Sequence, residues 1–253
     1  MLDITTDGHV HTRLCHHARG EMEEYVLAAI AKGLERIVFL EHLESGINYF
    51  ESTWLTEEDF LFYFQEGKRL RAKYESSIAV SLGVEVGYNP AEIAAILGFL
   101  ERFQWDSIGI SYHFLENNGR HYNLVSRKKH NLKEFSKIGV DRVATAYFSH
   151  LLEAVKVIPG TVVCHLDAVL RYHPDFLFTS KHLSIVRDIF QVMLERDIAL
   201  EVNTSGYRLR QEPFPSIAIL KEAVRSGLKL VAGSDAHTPN DVSRCFDRLA
   251  GIV

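Results

Sequence analysis

The residues best suited to chemistry in this chain are histidines and carboxylates that recur in short groups: Asp7-Gly8-His9-Val10-His11, Glu41-His42, Glu85, His113, His165-Leu166-Asp167, Glu201-Val202-Asn203 and Asp235-Ala236-His237. Side chains alternate in direction along an extended segment, so His9 and His11 project the same way, as do Asp235 and His237. Each pair can serve one cluster. Imidazole plus carboxylate without thiolate suits zinc, iron or manganese, and more donors are offered than one tetrahedral ion can use, which implies two or three divalent ions. Adjacent ions polarise a phosphoryl or carbonyl oxygen and bring the pKa of water toward neutrality, so the indicated chemistry is metal-assisted hydrolysis. Glu85 lies within an otherwise apolar run, where an unpaired carboxylate is costly, and a cationic partner is therefore required.

These groups share a position. Each follows or ends a short apolar, β-branched run, and the runs Leu2–Thr6, Arg36–Leu40, Ile78–Val84, Asp106–Ile110, Thr161–Cys164, Ile198–Val202 and Lys229–Ala232 read as strands. Between them lie segments of helical spacing. Glu21–Lys32 carries Met22, Val26, Ala29 and Ile30 on one face, with Gly33 as its stop; Thr56 caps a helix whose first turn is acidic; Pro90 opens a third at its N1 position. Val140–Val157, Leu183–Arg196, Ile217–Arg225 and a short piece after Pro239 complete the helices, while the polar segment Glu116–Asn131 reads as an active-site loop. Strand and helix alternate from end to end, the pattern of an α/β fold, and a parallel barrel would gather every strand's carboxyl end around one mouth.

Composition narrows the reading. At 253 residues, with 47% hydrophobic and 24% charged, the chain can bury a full core and is read as one domain over 1–253. No apolar run reaches the length of a membrane span, and no leader pattern precedes the first strand. The net charge is −5, and no cationic run exceeds Arg127-Lys128-Lys129, which argues against a nucleic-acid partner. Cys15, Cys164 and Cys245 form no CxxC pair, so they suggest a reducing, cytoplasmic setting and no thiolate zinc site.

The segments DGHVHTRLCHHARG, VFLEHLE, LGVEVGY, IGISYHFL, VVCHLDAVLRY, LEVNTSGYR and VAGSDAH, in that order, resemble the polymerase and histidinol phosphatase (PHP) metal-dependent phosphoesterases, specifically the histidinol-phosphatase branch. The resemblance spans the chain. It implies a distorted (β/α)7 TIM-like barrel and a trinuclear site with His9, His11, His42, Glu85, His113, His165, Asp235 and His237 as ligands. The activity implied is hydrolysis of L-histidinol phosphate to L-histidinol and inorganic phosphate, a step of histidine biosynthesis. Arg171 and Arg208 stand where that branch has substrate-contacting arginines, and guanidinium forks suit phosphate. The family often has a histidine at the position of His17, near the substrate mouth, although the pair His16-His17 also reads as an exposed loop. Members would carry a fuller terminal helix than Gly251-Ile252-Val253 allows, which bears on barrel closure and on any homo-oligomer contact.

Attack on phosphorus leaves an alkoxide that needs a proton, and Asp235, His237 and His17 are the candidates, among which the sequence does not choose. Asp167 and Asn203 are read as supports, Asp167 by orienting a metal ligand. Alternation turns Glu41 away from His42, and it turns Cys164 away from His165 toward the surrounding helices. His121, His130, His150, His173 and His182 are mostly surface residues on this reading. Two further enzyme readings stay open: a PHP phosphoesterase acting on another small phosphate monoester, and an amidohydrolase barrel, which also begins with HxH but should offer a bridging lysine where this chain has Glu85 and His113.

Overall fold

The computed structural model describes residues 2–169, 171–173 and 176–251. Strands β1 (Thr6–Val10), β2 (Arg36–Leu43), β3 (Ala79–Gly87) and β4 (Ser107–Ser111) lie parallel and adjacent in chain order. After β4 the chain makes a separate antiparallel hairpin of β5 (Phe114–Asn117) and β6 (Arg120–Asn123). It then returns to the sheet as β7 (Val162–Val163), β8 (Ala199–Asn203) and β9 (Leu230–Gly233). The two edges meet just beyond the strands: Val10 bridges Ala236 in parallel register, Asp235 N–H donates to His9 O at 2.9 Å, and His11 N–H donates to Ala236 O at 2.9 Å. Asp7, buried at this seam, accepts the Ser234 N–H at 2.9 Å, the Ser234 hydroxyl at 2.6 Å and the Ser243 N–H at 2.7 Å. The result is the distorted seven-stranded barrel expected from the sequence.

Most crossover helices form where the sequence places them, but Lys129–Ile138 and the turn Tyr207–Arg210 are helical in segments not read as helices. The helices are α1 (Met22–Ala31), α2 (Glu57–Lys73), α3 (Ile93–Leu100), α4 (Lys129–Ile138), α5 (Val140–Val157), α6 (Ser180–Glu195), the single turn α7 (Tyr207–Arg210) and α8 (Ile217–Arg225). Thr56 caps α2 reciprocally with Asp59: the Thr56 hydroxyl accepts the Asp59 N–H at 3.2 Å, and the Asp59 carboxylate accepts the Thr56 N–H at 2.8 Å. In α5 Val143, Ala144, Tyr147, Leu151, Ala154 and Val155 recur at three- and four-residue spacing and are buried against the barrel. Pro90 opens a 3-10 turn, Pro90–Glu92, that leads directly into α3. Among the described residues no helix is long and apolar enough to cross a membrane.

Two expectations change. The first strand lies over Thr6–Val10 rather than Leu2–Thr6, because the polar residues Asp7 and His9 belong to the strand itself and interrupt the apolar pattern used to find it. Glu116–Asn131 is not one loop. Asn118 (φ 54) and Gly119 (φ 77) supply the two left-handed residues of a tight hairpin turn, and α4 begins at Lys129. Only the stretch between β6 and α4 remains irregular.

Inside the barrel, β2 alternates cleanly: Ile37 and Phe39 join the core beneath the helices, whereas Val38 and Leu40 face inward and meet Val162 and Cys164 in a small cluster of their own. A seven-stranded barrel is narrow, and glycine relieves the crowding. A methyl group at Gly109 would lie 2.6 Å from Cys164 Sγ. Gly109→Ala should therefore cost about 1–3 kcal/mol in overpacking, a fall in Tm of several degrees at roughly 2–4 °C per kcal/mol for a chain near this size. Adding Cys164→Ala should recover part of the loss. Thermal melts of the single and double variants check this, and a single variant melting with the parent would show that the interior has slack.

Candidate metal centre

All the residues read as donors converge at the carboxyl mouth of the barrel. His9 belongs to β1 and His11 follows it; His42 and Glu85 stand near the ends of β2 and β3; His113, His165, Asp235 and His237 come from the segments just after β4, β7 and β9. Glu85 is the centre of the group and fully buried. Its Oε2 lies 3.0 Å from His42 Nδ1, 3.4 Å from His9 Nε2 and 3.5 Å from His11 Nε2. Its Oε1 lies 2.8 Å from His165 Nε2 and 3.2 Å from His113 Nε2, and the Ser111 hydroxyl donates to it. Asp235 Oδ1 approaches His11 Nε2 and His237 Nδ1 at 3.5 Å each.

Ring orientation shows which nitrogens carry protons. His9 Nδ1 faces Glu201 Oε1 at 2.7 Å and His113 Nδ1 faces Glu44 Oε1 at 2.7 Å. His17 Nδ1 faces the Cys15 carbonyl at 2.9 Å, and His237 Nδ1 faces the Asp235 carbonyl at 2.9 Å. Oxygens of these kinds only accept, so each Nδ1 holds a hydrogen. Burial and the neighbouring rings hold His17 (about 3) and His237 below the ordinary histidine value, so in these two Nε2 presents a lone pair. Yet His17 Nε2 and His237 Nε2 are 2.8 Å apart, and His9 Nε2 and His11 Nε2 are also 2.8 Å apart. The facing lone pairs of His17 and His237 repel unless a cation lies beside them.

Charge and burial agree. Burial alone would raise the carboxyl of Glu85, but the imidazoles of His113, His9, His42 and His165 hold it well below the usual range. Asp235 is likewise held low against its burial, chiefly by His11 and His237. Burial and the neighbouring rings of His42 and His237 keep His11 well below the ordinary histidine value, hence neutral, whereas Glu85 and Glu44 overcome burial and lift His113 to about 10. Among the described residues, His11 Nδ1, His165 Nδ1 and Glu85 Oε2 are buried without a hydrogen-bond partner. The neutral ring of His11, the ionised carboxylates and the unpartnered donor atoms suit divalent cations, which would displace the proton that Glu85 and Glu44 hold on His113. Seven of the eight donors fall into the sets His9–His11–Asp235, His42–Glu85–His113 and His11–His42–His237, each with its ligand atoms within 4.8 Å of one another, and His165 joins through Glu85.

Several supporting residues differ from the sequence reading. Asp167 does not orient a ligand; it is buried under an ion pair with Arg210 (2.7 Å) and accepts the Ser216 N–H at 2.9 Å. The orienting carboxylates are Glu201, which also accepts the His165 N–H at 2.7 Å and is joined to Asn203 Nδ2 at 3.1 Å, and Glu44. Neither role is legible without the partner strand. Cys164 faces the barrel interior below His9, not the helices, in phase with Val162; it is His165, with a positive φ of 26°, that breaks the alternation and also turns to the site. Cys15, set aside with the other thiols, is buried with its Sγ close to the His17 and His237 nitrogens. Glu41 points away from His42 as expected and accepts the Thr12 N–H at 2.8 Å. His16 is exposed and reaches Asp59 at 3.7 Å, while His182, expected at the surface, is fully buried and accepts the Thr179 N–H at 3.0 Å.

Above the donors opens a cleft of about 690 Å3 lined by Tyr49 and Phe114 on one wall, by Arg127 and Lys128 from the stretch before α4, and by Arg171 and Tyr172 opposite. Arg171 lies over the Phe214 ring at 4.5 Å, and Arg210 lies over the same ring at 4.1 Å. Arg208 does not line this cleft. Its side chain is 59% exposed and pairs with Asp241 at 2.5 Å.

A family model described as PHP domain matches residues 7–205. The histidinol-phosphatase of Bacillus subtilis (strain 168) is 28% identical over 262 residues, covering 95% of this chain and 96% of that protein. The fold is shared with a crystal structure from Listeria monocytogenes (TM-score 0.88, 24% identity, 96% of this chain and 99% of that one). It is also shared with the histidinol phosphate phosphatase of Lactococcus lactis, whose crystal structure holds zinc, L-histidinol and phosphate (TM-score 0.73, 21% identity, 97% and 93%).

Proposed function

The chain belongs to the PHP-domain family, and from that premise we propose that it is a metal-dependent phosphoric monoester hydrolase that converts L-histidinol phosphate to L-histidinol and inorganic phosphate. The observation that carries this reading is Glu85, a buried carboxylate placed between two groups of imidazoles at the base of a cleft that Arg171 overlooks. The similarity to the Bacillus subtilis enzyme over nearly the full length of both chains supports the choice of substrate. Where an amidohydrolase site would use a bridging lysine, the centre of this donor group is the carboxylate of Glu85.

We assign His9, His11, His42, Glu85, His113, His165, Asp235 and His237 as the residues that hold two or three divalent ions of zinc, iron or manganese, with His17 joining His237. When bound, such ions supply Lewis acidity toward the phosphoryl oxygens and a nucleophile from water near neutral pH. Glu201 and Glu44 fix the His9 and His113 rings in the tautomer that presents Nε2 inward. Arg171 forks the phosphate and offsets charge on its equatorial oxygens. Of the three candidates for the proton that the leaving alkoxide needs, His17 and His237 have Nδ1 committed to carbonyls and Nε2 to each other. Asp235 Oδ2 meets the Ser205 hydroxyl at 3.3 Å and is otherwise turned to the cleft. We therefore place with Asp235 the transfer of a proton from the attacking water to the departing oxygen.

Arg171→Ala should lower kcat/KM about a hundredfold, roughly 2.7 kcal/mol of transition-state stabilisation. Arg208→Ala should leave kcat/KM within about threefold, as for an exposed ion pair. Steady-state kinetics on both variants decide whether one arginine or two meet the phosphate. The activity itself is tested by phosphate release from L-histidinol phosphate beside p-nitrophenyl phosphate and sugar and nucleotide monophosphates, on metal-loaded protein. A kcat/KM for histidinol phosphate at least about a hundredfold above the others is expected; equal rates on all esters would overturn the substrate while leaving the metal centre in place.

A further inference from the structure

Beside the metal-bearing cleft lies a second one of about 620 Å3, between the β5–β6 hairpin, α4 and the segment that carries Tyr49 and Phe50. That volume falls within the range of small-molecule sites. None of the metal donors lines it, and its walls are aromatic and cationic instead. Phe50 is 64% exposed, yet its ring is held: it meets Tyr49 at 4.5 Å and the edge of His130 at 4.9 Å, and the Lys128 ammonium sits over it at 4.7 Å. Tyr49 is fixed in turn by Asn131, whose Nδ2 donates to the phenol oxygen at 3.0 Å. Arg120, Lys133 and Lys137 face one acid, Glu134, which already pairs with Lys137 at 2.7 Å. Among the described residues Arg120 and Lys133 form no ion pair. In a chain of net charge −5 this is a local reversal of sign beside an open aromatic platform.

We propose that this cleft binds a small anion carrying a flat aromatic ring, the chemistry of a nucleoside monophosphate. The ring stacks on Phe50, where an apolar face is presented to solvent. The phosphate meets Arg120, whose guanidinium forks two oxygens, and Lys133, which adds a point charge. Tyr49 lines both clefts, so the ligand lies against the back of the catalytic wall without entering it.

The probe is the phosphonate analogue of adenosine monophosphate in which CH2 replaces the ester oxygen, a compound no phosphatase consumes. Titrated calorimetrically into metal-loaded protein, it should bind. The double variant Arg120→Glu/Lys133→Glu should weaken binding at least tenfold, Phe50→Ala should weaken it separately, and Arg171→Ala should leave it unchanged. The double variant should keep the parent's melting temperature and its turnover of phosphate ester. No heat at millimolar probe, equal affinity in parent and double variant, or loss of binding in Arg171→Ala instead, which would put the probe in the catalytic cleft, each overturns the proposal. Binding is read without turnover, so it stands or falls separately from the assignment of the substrate.

Discussion

Glu85→Gln is expected to lower kcat by about a thousandfold, roughly 4 kcal/mol of barrier, and to reduce the metal content of purified protein while leaving the far-UV spectrum unchanged. Glutamine keeps the volume and the hydrogen bond from Ser111 but removes the charge that five imidazoles surround. The two oxygens of Glu85 face different rings, His165 and His113 on one side and His9, His11 and His42 on the other, so a single substitution weakens donors on both sides. Elemental analysis beside steady-state kinetics separates loss of metal from loss of chemistry. A variant with full metal content and kcat within tenfold of the parent would sink the assignment of Glu85 as the central ligand. His165→Ala carries the same expectation of lost turnover.

Stripping the ions should abolish turnover and lower thermal stability together. A ligand bound only by the folded state at a thousand times its Kd stabilises it by about 4 kcal/mol, or roughly 8–16 °C in Tm for a chain near this size. Without cations the barrel mouth keeps Nε2 lone pairs of His17 and His237 face to face, and unpartnered polar atoms at His11, His165 and Glu85, all of which favour local opening. Differential scanning calorimetry before and after chelation, with re-addition of zinc or manganese, measures the effect. An unchanged melting temperature after metal removal proven by elemental analysis would show that the donors do not hold ions tightly.

The donors were legible in the sequence because strand ends carry them in a fixed phase. In β2, Val38, Leu40 and His42 share the inward face while Glu41 lies on the other, as simple alternation requires. The same rule puts Cys164 inward with Val162 and fails one residue later, at His165, whose positive φ turns its side chain inward as well. The first strand was misplaced for a related reason: apolar runs locate strands, and here the functional residues Asp7 and His9 occupy the strand itself. Asn118-Gly119 held the hairpin signal, but the polar residues around it masked a strand pair too short to show alternation. Glu201 and Glu44 acquire their roles only when His9 and His113 are brought to them from distant positions in the chain. For Arg208 no local pattern told a surface ion pair with Asp241 from a phosphate contact.

The barrel beneath the donors is filled by Val38, Leu40, Val162 and Cys164, with glycine where no larger residue fits. Among the described residues the cleft above the donors therefore has a packed floor. Tyr49, Lys128 and Arg171 line the cleft by which ions, ester and products would come and go. On the proposed assignment the ions would settle first and the ester would enter above them, so that phosphate held by Arg171 would stand between the ions and solvent. A phosphate in residence would then be a stopper as well as a product, and a chelator would have to wait for it to leave.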